Sequence, residues 1–165
     1  MITRLVSGGA NVTKGIGEAI GRAATGPLAI MLVGDYGTGK TTFVQGLAVG
    51  LGIVEPVRSP SYNIMKRYDT GRFPLVHADL YRTRSNPDIE ELGILDILTA
   101  HGILAIEWPG RYLPPVQEMP NISINFSYPP GGPEGESVDR RNLEINWVDD
   151  CPPAIVGVLR ALAAR

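Results

Sequence analysis

The stretch G-D-Y-G-T-G-K-T at Gly34 to Thr41 narrows the possible folds more than any other part of the chain. It fits the phosphate-loop pattern G-x-x-x-x-G-K-[ST], which works only where a strand hands over to a helix. Both neighbours are present. Leu28, Ala29, Ile30, Met31, Leu32 and Val33 form an unbroken apolar run, as expected of a parallel strand covered on both faces. Downstream, Phe43, Val44, Leu47, Ala48 and Leu51 recur at helical spacing, with Gly50 and Gly52 as expected stop signals. In that setting Gly34, Gly37 and Gly39 let the backbone curl, so that its N–H groups and the helix N-terminus face an anion. Lys40 is then placed for the β- and γ-phosphates and the Thr41 hydroxyl for magnesium, with Asp35, Tyr36, Gly37, Thr38 and Gly39 lining the nucleotide. Only three lysines, Lys14, Lys40 and Lys66, occur in 165 residues, so a lysine at that position is not filler.

A chain of 165 residues, 44% hydrophobic, can bury one core, and a single domain over residues 1–165 is the natural count. Its formal net charge of −2 argues against a dedicated nucleic-acid binder. Any RNA contact is therefore expected to be shared with a partner. Cys151 is the sole cysteine, which rules out an internal disulfide and points to a reducing compartment. No apolar run approaches the roughly 20 residues that span a bilayer, and the N-terminus lacks a charged-then-apolar signal pattern. A cytoplasmic protein without a membrane segment is expected.

Taken in order, Ile2, Leu5 and Val6 predict a short first strand, and Ile16, Ala19, Ile20 and Ala23 a helix capped by Asn11 or Thr13. Gly15, Gly17 and Gly21 weaken that helix, so close packing against a neighbour is expected. After the loop helix, Arg58, Ser59, Pro60, Ser61 and Tyr62 form a non-helical connector leading into a strand over 63–68. Asp69 to Arg72 reads as a hairpin turn and Phe73 to Ala78 as the return strand, an antiparallel pair inserted into a parallel plan. Residues 87–98 start acidic and finish apolar, which suits a short helix. Alternation at Ile122, Ile124 and Phe126 and again from Leu143 to Val148 predicts two more strands around a mobile tip over 129–139, and 154–164 closes the chain as a helix at the sheet edge. The fold class that results is α/β: a three-layer sandwich like that of the P-loop NTPases, with a mixed, mostly parallel central sheet.

Two apolar strands run directly into an acid. One ends at Asp79, in H-A-D-L-Y-R from His77 to Arg82, and the other at Glu107, in E-W-P from Glu107 to Pro109. Strand ends of a doubly wound sheet border the crevice that holds phosphate, so both are candidates to hold magnesium or to orient the attacking water.

These residues resemble the bacterial TsaE (formerly YjeE) ATPases of tRNA threonylcarbamoyladenosine synthesis. The likeness rests on G-D-Y-G-T-G-K-T-T-F at Gly34 to Phe43, S-P-S-Y at Ser59 to Tyr62, H-A-D-L-Y-R at His77 to Arg82, E-E-L-G-I at Glu90 to Ile94 and E-W-P at Glu107 to Pro109. It covers about residues 13 to 110, with Ala78 where an aromatic is common and Ser61 where threonine is frequent. The resemblance implies a weak, partner-stimulated, magnesium-dependent ATPase. It further implies support of the TsaB–TsaD complex, which forms threonylcarbamoyladenosine at position 37 of tRNAs reading codons that begin with A, so that tRNA is met only through the complex. By the same motifs Lys40, Thr41 and Thr42 belong to the ATP site, Asp79 and Glu107 to Mg2+ and water, and Trp108 to the wall beside them.

A small-molecule kinase is the main alternative, since such kinases place the same loop on the same kind of sheet. It requires an acceptor pocket and an arginine-bearing lid; Arg82 and Arg84 could serve, but no insertion of lid length follows the central strands. A nucleotide-sensing module without catalysis is the third reading. A GTPase is disfavoured, because N-K-x-D occurs nowhere in the chain.

Overall fold

The computed structural model describes residues 1–60, 63–82, 102–110, 119–130 and 139–164. Seven strands form one sheet: β1 (Ile2–Ser7), β2 (Leu28–Gly34), β3 (Met65–Tyr68), β4 (Leu75–Asp79), β5 (Ile103–Glu107), β6 (Asn121–Ser127) and β7 (Arg141–Trp147). Their spatial order is β1-β7-β6-β2-β5-β4-β3. The four central strands β6, β2, β5 and β4 are mutually parallel, while β3 on one side and β7 and β1 on the other pair antiparallel. The apolar runs of β2, β4 and β5 thus occupy the middle, where both faces are covered. Leu75 to Asp79 and Ile103 to Glu107 are buried throughout.

Helices α1 (Ala10–Ala23), α2 (Lys40–Leu51) and α3 (Pro153–Ala163) share the core of one sheet face, formed by Leu28, Ile30, Leu32, Leu75, Ile103 and Ala105 with Ile20, Phe43, Leu47 and Leu159. A second apolar cluster covers the opposite face: Ala29, Met31, Val76, Ala78, Leu80, Leu104 and Ile106, with Ile64, Met65 and Met119 packed against it. The helix expected over 87–98 lies outside the described residues. So does most of the expected tip, 131–138. The expected hairpin is present as β3 and β4, Met65 facing Ala78 and Tyr68 facing Leu75. No helix among the described residues is long and apolar enough to cross a membrane.

Two of the three glycines of α1, Gly17 and Gly21, are explained by packing. A Cβ on Gly17 would stand 2.2 Å from the Phe43 carbonyl oxygen, one on Gly21 2.4 Å from that of Leu47, and one on Gly46 only 1.9 Å from that of Lys14. The two helices therefore meet backbone to backbone. Gly50 belongs to this seam, since its Cβ would meet the Glu18 carbonyl at 2.2 Å, and it does not end α2 as expected. Gly52 alone does that, at φ 81°, with its N–H returned to Ala48 and Val49. The cap of α1 also differs from expectation. Gly9 is the N-cap, and the buried Thr13 hydroxyl pairs with Ser7 at 2.7 Å. Gly46→Ala is expected to lose roughly 1–3 kcal/mol, because only helix backbone can give way. Gly15→Ala meets nothing within 4 Å and is expected to gain about 0.5–1 kcal/mol from helix propensity. Urea unfolding of both variants checks the pair, and equal shifts would remove the seam. Cys151 is buried, and burial together with Asp150 pushes its thiol up to about 11.

Candidate active site

In the parallel pairing of β4 with β5, Asp79 stands directly opposite Glu107, and on the other side of β5 Glu107 stands opposite Leu32, two residues before Gly34. Paired residues project to the same face, and here that face carries α2. The phosphate loop, Asp79 and Glu107 are thereby gathered at one end of the sheet. A cavity of about 440 Å³ opens there, lined by Tyr36, Gly37, Gly39, Lys40, Thr41, Thr42, Ser59, Asp79, Tyr81, Arg82, Glu107 and Trp108.

The loop is shaped by its own backbone groups. Gly39 caps α2 in the left-handed region at φ 101°, and Gly34 lies so near β6 that a Cβ would fall 2.3 Å from the Phe126 carbonyl oxygen. The Asp35 carbonyl accepts from the Thr38 hydroxyl at 2.7 Å and from Lys40 Nζ at 2.8 Å, and Lys40 also donates to the Gly34 carbonyl at 2.7 Å. Asp35 and the buried Thr38 hold the loop's form and are not among the cavity-lining residues. Lys40 Nζ lies 4.2 Å from the centroid of the Trp108 ring, which lines the same cavity. Burial lowers the Lys40 pKa from its ordinary value, opposed by the charges of Glu107, Asp79 and Asp35. An anion placed beside it would favour the ammonium form.

Glu107 Oε1 accepts from the Thr41 hydroxyl at 2.7 Å and is paired with His77 Nε2 at 2.8 Å. Asp79 is held differently. Its Oδ1 accepts the Tyr81 N–H at 3.1 Å and its Oδ2 the Ser59 hydroxyl at 3.2 Å, while its own N–H donates to the Ile64 carbonyl at 2.8 Å. Ile64 has φ 60°, a strained conformation for a β-branched residue, inside a turn closed by Met65 N–H on the Asn63 carbonyl. Trp108 is the other non-glycine residue at positive φ among the described residues, at 56°. Strain is thus concentrated beside the two acids. Ser61, Tyr62 and Arg84 lie outside the described residues.

Among the described residues no three His, Cys, Asp or Glu groups form a metal cluster. A divalent ion here would take one or two protein oxygens and draw the rest from phosphate and water, which is the habit of magnesium at phosphate sites. The Thr41 hydroxyl and the carboxylates of Glu107 and Asp79 fit that coordination, and the Lys40 ammonium beside them fits the phosphate. Sequence reasoning missed His77 as a partner of Glu107. The available signal was its spacing, two residues before Asp79 and so on the same face of β4.

A phosphate loop between a central parallel strand and its helix, with acids ending the two strands beyond it, defines a protein of the P-loop NTPase-like class. The family profile for the threonylcarbamoyl adenosine biosynthesis protein TsaE matches residues 8–130. The chain belongs to the TsaE family. The tRNA threonylcarbamoyladenosine biosynthesis protein TsaE of Nostoc sp. is 36% identical over 137 residues, covering 81% of this chain and 83% of that one. Its counterpart from Treponema pallidum is 36% identical over 124 residues, 75% of this chain and 89% of the other. The crystal structure of YdiB from Bacillus subtilis superposes with a TM-score of 0.69 at 26% identity, over 98% of this chain and 95% of YdiB.

Proposed function

We propose that the chain, acting as a single domain in the cytoplasm, binds and hydrolyses Mg-ATP in support of the TsaB–TsaD complex, which carries threonylcarbamoyl to adenosine 37 of tRNA. The observation that carries this reading is the meeting of Lys40, Thr41, Asp79 and Glu107 in one cavity at the N-terminus of α2. The loop N–H groups, Lys40 and Thr42 bind the phosphates, and Thr41 with Glu107 would hold magnesium, which when bound neutralises charge developing on the phosphate oxygens. Glu107 keeps Oε2 without a protein partner among the described residues, whereas both oxygens of Asp79 accept protein hydrogen bonds. Glu107 is therefore the group nearer metal and water. Asp79 ties the site to the Ser59 segment.

No added acceptor is required for turnover in this reading, in contrast to a small-molecule kinase. Phosphate release from Mg-ATP by the purified chain should be slow and should rise when TsaB and TsaD are added together. Cells depleted of the protein should lose threonylcarbamoyladenosine from their tRNA nucleosides. Unchanged modification, or turnover that needs a small-molecule acceptor, would count against the proposal.

A further inference from the structure

His77 is fully buried in β4, and among the described residues its Nδ1 has no hydrogen-bond partner. An apolar side chain would fill this place between Leu75 and Ala105 without stranding a polar atom. What the imidazole adds is the bond from Nε2 to Glu107 Oε1, 2.8 Å long and shielded from water. An ionised carboxylate can only accept, so Nε2 carries a proton and donates. Thr41 donates to the same Oε1. A partial turn of the carboxylate about its last torsion would carry Oε1 off both donors, and a half-turn only swaps two equivalent oxygens. The two donors thus leave Oε2 as the atom presented to the cavity.

We infer that His77 is a positioning residue. By donating from Nε2 to Oε1 it fixes the rotamer of Glu107 and delivers Oε2 to the metal and water side of the site. It touches no reacting atom itself. Its effect belongs to the turnover step and not to nucleotide affinity, since neither Lys40 nor the loop N–H groups depend on it. The inference rests on the hydrolytic reading given above, but its geometric half can be measured without any activity.

Two measurements test it. The chain has only two histidines, His77 and His101, so long-range ¹H–¹⁵N correlation spectra of the nucleotide-free protein can be assigned with one variant. His77 is expected as a ring protonated at Nε2 whose signals move in Glu107→Gln. A ring protonated at Nδ1 alone overturns the inference. In steady-state hydrolysis, His77→Leu should lower kcat about 10- to 100-fold with KM for ATP changed less than about 3-fold. His77→Gln, whose amide can reach the same oxygen, should recover most of the rate, and the shorter His77→Asn should not. A filler of the core would lower the melting temperature in all three without this split. Wild-type kcat in folded His77→Leu, or equal rates in the Gln and Asn variants, overturns the inference. The Gln and Asn pair decides if the Leu variant does not fold. If the wild-type chain releases no phosphate even with TsaB and TsaD, the hydrolytic reading fails, and the tautomer still decides whether His77 holds Glu107.

Discussion

The Glu107→Ala protein is expected to bind Mg-ATP within about 3-fold of the wild-type affinity and to hydrolyse it roughly 100- to 1000-fold more slowly. In the proposed site the loop N–H groups and Lys40 would hold the nucleotide, and Lys40 does not depend on Glu107 for its place, since it is anchored to the Gly34 and Asp35 carbonyls. A carboxylate that aligns water and supports the metal acts on the transition state, so its loss appears in kcat and hardly in binding. Alanine also leaves buried His77 Nε2 without its partner, at about 1–3 kcal/mol of stability, while the half-buried Thr41 hydroxyl lines the cavity and can turn to water. Glu107→Gln separates the two effects, because it keeps an acceptor oxygen while losing the charge. Calorimetric titration beside phosphate-release assays checks the prediction. A Gln variant with wild-type turnover would remove Glu107 from the chemistry.

Lys40→Ala is expected to weaken Mg-ATP binding about 10- to 150-fold, the equivalent of one charge-assisted hydrogen bond at about 1.5–3 kcal/mol. The other lysines give no rescue: Lys14 lies on α1 and Lys66 on the edge strand β3. The loss is moderated by what the empty loop already does with this side chain. Lys40 leaves two backbone carbonyls and an aromatic face when it turns to phosphate, so only the difference between those contacts is gained on binding. Trp108 offers a direct readout. Its fluorescence should change when nucleotide draws the ammonium from its ring, and titration of the Lys40→Ala variant should lack that component. Equal affinity in the two proteins would show that the loop does not hold phosphate.

Much of the site could be read from the chain because its parts are local. The loop, its strand and its helix are contiguous, and an apolar run that stops at an acid marks Asp79 and Glu107 as strand-end residues. That Asp79 stands beside Glu107 could not be read, since register between strands 28 residues apart is set by packing and by no pattern within either strand. His77 was hidden for a related reason. A single polar residue in an apolar strand has no meaning until its cross-strand neighbour is known. Gly50 was misread because a glycine that ends a helix and one that admits another backbone look alike without the partner in view. Thr13, expected to cap α1, turned its hydroxyl to Ser7 because Gly9 already occupied the cap position.

The pairing of β1 with β7 bears on how the chain is made. Leu5 lies opposite Leu143, and the Met1 ammonium donates to the Trp147 carbonyl at 2.9 Å. Of the seven described strands, the first in the chain thus pairs with the last. At translation rates of about 5–20 residues per second, roughly 7 to 30 seconds separate the two leucines leaving the peptidyl transferase centre. The pairings that β2, β5, β4 and β6 make with one another need nothing from β1. The nascent N-terminal strand, with Leu5 destined for the core, remains an open edge and a target for chaperones until β7 arrives.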